Sequence, residues 1–411
     1  MSREFDRRTA LQVSFVLIAT GALGSCAVPM AVSPLGSTAT STRFSTASST
    51  VYPSSSHRPV LAKSYGPNGT HYPADVPWMG DVAPTELIAT CDWADIGHQI
   101  STLTAAQVSA GVAIRVRPGT LSGQGSNSGS APVLSGLGDP TWGRNVLICP
   151  LDGFGSVVVD SGIRLDKCAR LSLYGFVSSG AFVLTQCASL QVGWSRFSGM
   201  NITRGGTDIA LYELVLGFRR DSEDTAGVRP TADYAMTNIL RSGCVFGPSV
   251  KPAGSTAHCD TIQAEGTGTG TFGPFRTEDC VDYGSSNAAE LLSSGLARAE
   301  YRHCLILAGQ LPWTVFPLET GDYDGVPNAF AGGCNDVQLV DSTVVGAVGA
   351  MGFTEVSGTT LSYTPQSSQQ PRGTGKWIVD ESTAAWTGKH IMSLQEVPDY
   401  ANDTLAAVWG W

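Results

Sequence analysis

The stretch Thr256–Gly266 (TAHCDTIQAEG) brings an imidazole, two carboxylates and an amide into one short segment. With Ile262 turned inward on a strand, Thr261 and Gln263 point outward, and Asp260 sits at the turn before them. A carboxylate two residues from an imidazole is near enough to orient it, which would make His258 a general base for abstracting a substrate proton. The same residues serve equally as scaffold, Asp260 capping a turn and His258 bonding a neighbouring segment.

Two further segments align on their cysteines. Setting Cys280 over Cys304 places Arg276 beside Glu300, Glu278 beside Arg302 and Asp279 beside His303. Setting Cys304 over Ser342 adds Asp341 on the far side of His303. On strands about 4.8 Å apart these are opposite-charge pairs, and a salt-bridged outer ladder is one reading of them. In the functional reading Arg302 clamps a uronate carboxylate, Arg276 lies in the same binding surface and His303 is a base between two carboxylates. Those carboxylates would favour the charged imidazole, a poor base at neutral pH. The same stacking sets Thr261 beside Glu290 and Gln263 beside Leu292, so Glu290 is expected to face outward next to Gln263. Glu290 with Asp260 or Glu265 would supply the paired carboxylates of a glycosidase, about 5 Å apart in a retaining enzyme and farther in an inverting one. In Gln310–Gly333, Trp313, Phe316 and Tyr323 are candidates to stack on sugar rings, or to form a packed cluster pinning the loop. Asp322 and Asp324 offer hard oxygen ligands for Ca²⁺, although no complete calcium loop is present.

The elements that must hold these groups repeat. IRLDKCARLSLYGFVSSG and FVLTQCASLQVGWSRFSG follow one another, with Cys168 and Cys187 19 residues apart and Cys149 another 19 earlier. Short alternating runs punctuated by Gly and Ser, at a period near 20, predict stacked β-coils: an all-β, right-handed parallel β-helix. Cys149, Cys168 and Cys187 are expected in one inward column, mostly as unpaired buried thiols. Asp92–Ala110 has helical spacing of Ile96, Ile100 and Leu103, predicting a short N-terminal capping helix. Val112–Val116 follows as the first strand. Arg219–Asp233 and Gln310–Gly333 read as insertions, and insertions of this kind often build the binding face.

The totals fit an extracytoplasmic β-protein. The chain has 411 residues, 48 of them Gly, with 15% charged residues and a formal charge of −10. That balance disfavours nucleic acid or an anionic membrane surface as partner. Residues 1–25 read as an export signal, with Arg7-Arg8 as a twin-arginine feature and an apolar run from Leu11. Leu23-Gly24-Ser25-Cys26 resembles a bacterial lipobox, which implies a lipid on Cys26 at the cell surface. Residues 26–80 read as a disordered Ser/Thr/Pro-rich tether, 81–360 as the coil domain and 361–411 as a C-terminal loop and cap.

The His258-x-Asp260-x-Ile262-Gln263 stretch and the coil pattern over about Val112–Phe353 resemble the pectate-lyase-like superfamily of right-handed parallel β-helices. The resemblance implies the fold and a carbohydrate-facing role. The acidic constellation of pectin-hydrolysing glycosidases and the arginine motif of pectate lyases are not found. The expectation is a polysaccharide-degrading enzyme, a lyase before a glycoside hydrolase, acting as a monomer or homotrimer without a certain cofactor. A non-catalytic adhesin or glycan-binding protein is the alternative, because one fold hosts both.

Overall fold

The computed structural model describes residues 82–385, apart from 126–129, 154, 233, 269 and 324. The chain divides into Met1–Ser48 and Ser49–Trp411, and all the described residues belong to the second unit. The export signal, Cys26, the tether, Asp324 and the last residues of the expected C-terminal cap lie outside the described residues.

Short strands pair in parallel with strands distant in sequence, and three ladders account for most of them. The first joins Ile163–Asp166, Phe182–Ala188, Met200–Tyr212, Ala226–Arg229, Asp260–Ala264, Ala288–Leu292 and Asn328–Gly332. The second runs from Thr85–Ala89 through Val112–Val116, Val146–Pro150, Leu171–Tyr174 and Gln191–Gly193. It continues through the second half of Met200–Tyr212, which also belongs to this ladder, then Met236–Ser242, Phe275–Glu278, Ala299–Arg302 and Val337–Val340 to Phe353–Ser357. The third stacks Val215–Leu216, Val245–Phe246, Val281–Tyr283, Leu305–Leu307 and Thr343–Val345. The molecule is all-β with mostly parallel sheets and few helices.

Alternation decides what is inside. In the second ladder Ile114, Ile148, Leu173, Val192 and Leu211 lie in one register column and are all buried in the main core. Corners between ladders are single residues in the left-handed region. Asp279, His303 and Asp341 occupy such a corner with φ near 50°, where Gly243 and Gly358 stand on flanking coils. The short polar residues tolerate that conformation and the glycines take it without strain.

Several expectations need correction. Strand Thr85–Ala89 precedes Val112–Val116, so the latter is not the first. The predicted helix is two: α1 (Trp93–Ser101), N-capped by Asp92, and α2 (Ala105–Ala110), opened by a Thr104/Gln107 capping box. Trp93, Ile96 and Ile100 reach the core, while Leu103 falls in the break. The ladders also continue past residue 360, through Thr374–Gly375 and Ile378–Val379. All nine described cysteines are free and eight are buried. Cys168 and Cys187 are stacked neighbours, but Cys149 pairs in register with Arg115 on the opposite face of its strand from Ile148. Ile148 pairs with Leu173, a longer step than 19, so a step of 19 misplaces the thiol. Among the described residues no helix is long and apolar enough to cross a membrane.

Candidate functional site

The outer side of the first ladder carries a built cluster. Asn201, Gly227, Gln263 and Leu291 form one register column across four strands. Arg229, two residues beyond Gly227 and hence on the same side, folds its guanidinium back over that glycine. A Cβ at position 227 would come within 3.0 Å of the guanidinium carbon and closer still to the Asn201 amide oxygen. The absent side chain is therefore the seat of the arginine. Nε of Arg229 donates to the Gln263 amide oxygen at 2.9 Å, one terminal nitrogen donates to Asn201 at 3.2 Å and the other pairs with Asp224. Held from three sides, the Arg229 side chain is still 33% exposed.

Asp224 ties this cluster to the neighbouring loop. Its Oδ1 accepts the backbone N–H of Asp260 at 2.7 Å, and burial lifts its carboxyl above the usual range despite Arg229 beside it. Asp260 is buried: Oδ1 accepts from the Asn287 amide at 2.8 Å, while Oδ2 has no partner among the described residues. Burial, with Asp224 nearby, pushes the Asp260 carboxyl up to about 8, so it is mostly protonated at neutral pH. His258 is exposed and has no hydrogen-bond partner among the described residues. The His258–Asp260 pair expected from the sequence is not formed. Asp260 shares the side of Ile262 on its strand and turns in, whereas His258 lies in the exposed loop before it.

Glu290 is the largest correction. Its register partner is Ile262 rather than Thr261, and that one-residue difference sends it into the core. There Arg241 donates to Asp282 at 2.6 and 3.1 Å, to Glu290 at 3.0 Å and to Thr277 at 3.0 Å. Tyr301 donates to the other Glu290 oxygen at 2.9 Å. The side chains of Arg241, Asp282 and Glu290 are 0% exposed. Burial drives the Glu290 carboxyl far above its ordinary range, with Arg241 opposing and Asp282 adding to the shift. A group enclosed on every side contacts no polysaccharide, and Glu290 belongs to the scaffold.

Arg276, Arg302 and His303 lie on the second ladder and its corner, not on the first ladder with Arg229. The expected pairings hold there: Arg276 opposes Glu300 with 3.8 Å between charged atoms, Arg302 opposes Glu278, and Nδ1 of His303 lies 2.8 Å from Asp279. Trp313 and Tyr323 pin a loop. The Trp313 indole donates to the Gly325 carbonyl at 2.9 Å, and the Lys251 ammonium sits 4.7 Å from the centre of the Tyr323 ring. Arg220 clamps the same loop through Asp322 at 2.9 Å and through the Phe316 ring at 4.0 Å. Oδ2 of Asp322 takes both Arg220 and the Glu319 N–H, and Asp324, its partner in the expected calcium pair, lies outside the described residues. Among the described residues no group of three His, Cys, Asp or Glu side chains is placed to hold a metal ion.

The sequence reading missed Asn201, Asp224 and Arg229. The available signal was Ala226-Gly227-Val228-Arg229, in which Ala226 and Val228 alternate inward and Arg229 outward. It lay inside a segment taken for an insertion.

No family model matches the sequence, and no curated protein matches it. Two similar solved structures are A-modules of Azotobacter vinelandii mannuronan C-5 epimerases. That of AlgE6 is 12% identical with a TM-score of 0.29, covering 67% of this chain and 96% of its own. That of AlgE4 is 11% identical with a TM-score of 0.23, covering 65% of this chain and 89% of its own.

Proposed function

We propose that this chain is an exported, lipid-anchored β-helix protein of the pectate-lyase-like type that binds an acidic polysaccharide and cleaves it as a lyase. The three ladders are read as the faces of one right-handed solenoid, with α1 closing its N-terminal end. The glycan lies across the outer side of the first ladder, beside the loops that carry Asp224 and His258. One observation carries this reading: Arg229, fixed from three sides over Gly227 and still open to solvent. A guanidinium so held keeps one N–H, the second on the nitrogen that bonds Asn201, to take a carboxylate by a charge-assisted hydrogen bond.

The chemistry follows from that contact. Neutralising a uronate carboxylate acidifies the neighbouring C–H. The exposed His258 imidazole takes that proton, the electron pair forms a carbon–carbon double bond, and the glycosidic oxygen leaves and is protonated from water. The Asp260 side chain is turned in on Asn287, and its backbone N–H holds Asp224, and through it Arg229. With Glu290 enclosed, the carboxylate pair required for hydrolysis is lost, which favours the lyase. A non-catalytic glycan-binding role is the second reading. The observation in its favour is that nothing among the described residues orients His258.

Incubation of the full chain with a panel of acidic and neutral polysaccharides tests both. Unsaturated ends absorbing in the ultraviolet, lost in His258→Ala, are expected. New reducing ends without that absorbance would replace the lyase by a hydrolase, and binding without either product would replace the enzyme by the adhesin.

A further inference from the structure

Two side-chain amides hold Arg229, and the guanidinium in turn decides what those amides can offer a ligand. A guanidinium only donates, so an amide that touches it turns its oxygen toward it and its NH₂ group away. Asn201 gives Oδ1 to one terminal nitrogen, and Gln263 gives Oε1 to Nε and to the other terminal nitrogen. Neither Nδ2 of Asn201 nor Nε2 of Gln263 has a partner among the described residues, and neither is enclosed. Both residues are half-buried on the outer side of the first ladder, one register step to either side of Gly227. The arginine thus fixes two amide donors as well as being fixed by them.

The two sides are not equivalent. Toward Gln263 the guanidinium is saturated: Nε–H and one N–H of a terminal nitrogen go to Gln263, and that nitrogen's second N–H goes to Asp224. Toward Asn201 the other terminal nitrogen donates once, at 3.2 Å, and keeps its second N–H. A free cationic N–H and a free amide NH₂ therefore stand together on one side only. We propose that Asn201 is a substrate-contacting residue that shares a uronate carboxylate with Arg229, while Gln263 donates to a neutral oxygen on another sugar of the same glycan. A carboxylate has two acceptor oxygens and no donor, which matches one N–H from each of Arg229 and Asn201. Because the amide oxygens converge on the guanidinium from opposite strands, the NH₂ groups diverge, and one carboxylate does not lie on both. The glycan is thereby oriented, its acidic unit beside Asn201 and a further unit beside Gln263. The identity of the anion rests on the acidic-glycan reading; the direction of the two amides does not.

Side-chain amide resonances of the full-length protein test it, with sodium acetate as the minimal carboxylate. The Asn201 and Gln263 NH₂ signals are assigned through their bonds to the backbone and checked by their loss in Asn201→Asp and Gln263→Glu. Both variants keep an oxygen for the guanidinium and add one negative charge beside it, so each controls for charge in the other. In the wild type, acetate is expected to shift the Asn201 signals and leave those of Gln263 in place. Asn201→Asp should weaken acetate binding roughly ten- to a hundredfold, and Gln263→Glu by no more than about fivefold. Oligosaccharides of galacturonate, mannuronate and glucuronate are the second probe, and at least one should shift both amides. Acetate that moves Gln263 or neither amide, or that is weakened equally in the two variants, overturns the shared carboxylate. Oligouronates that all leave Gln263 unmoved overturn its contact with a further sugar. Unsaturated products from a protein whose Asn201 amide never moves would remove this site and keep the lyase. Acetate shifts at Asn201 in a protein that cleaves nothing would keep this site and remove the lyase.

Discussion

Arg229 and Arg241 make an instructive pair. Each is an arginine on a strand, paired with a carboxylate and hydrogen-bonded to a neighbouring coil. Arg229 stands on the outer side, one-third exposed, with Asp224 and two neutral amides. Arg241 stands on the inner side, fully enclosed, with Asp282, Glu290 and Tyr301. Strand parity alone separates a group that can meet a ligand from one that holds coils in register. A buried ionic cluster carries a desolvation penalty that its mutual attraction must offset, so removing one member is costly. A partly exposed pair carries a smaller desolvation penalty and leaves one edge of the guanidinium in solvent.

Breaking the inner cluster should have the largest effect. Arg241→Met leaves Asp282 and Glu290 without their counter-charge, and urea unfolding should show a loss of about 3–5 kcal/mol. A loss below about 1 kcal/mol would mean that the cluster is not the buried network described. Arg229→Ala should lose glycan turnover at a smaller cost in unfolding free energy than Arg241→Met, because the Arg229 side chain is one-third exposed. The third effect is on pH. Asp260 has a folded-state pKa of about 8, well above that of an unfolded aspartate near 3.9. The folded state therefore binds more protons between those values, and stability falls as pH rises through that window. Asp260→Asn should flatten the dependence of melting temperature on pH between about 4 and 8; an unchanged slope would contradict the assignment. The smallest effect is expected at the outer ladder, where Glu300→Ala should cost no more than about 0.5–1 kcal/mol and leave turnover intact.

How much of this was legible follows from parity as well. Alternation places strands such as Ile163–Asp166 and Ala299–Arg302 directly, and small apolar thiols at corners announce free cysteines. The Arg276–Glu300 and Asp279–His303 pairings come from the same stacking. Glu290 defeats the pattern because Ala288–Leu292 has no strict alternation, and a one-residue slip exchanges inside for outside. A carboxylate is tolerable inside only because Arg241 faces it from a distant strand, which no local pattern reveals. Arg229 is hidden for a related reason: Gly227 removes the side chain that would mark the outer face, and the surrounding charges mimic an insertion. Cys149 is misplaced because the register step from Ile148 to Leu173 is longer than 19.

Glycan affinity of Arg229→Ala, measured by titration calorimetry at matched folded fraction and two salt concentrations, tests the central claim most directly. Loss of one charge-assisted contact is expected to weaken binding by roughly ten- to a hundredfold, with a shallower dependence on salt than the wild type. Affinity and salt dependence equal to those of the wild type would contradict the assignment of the outer face as the binding surface.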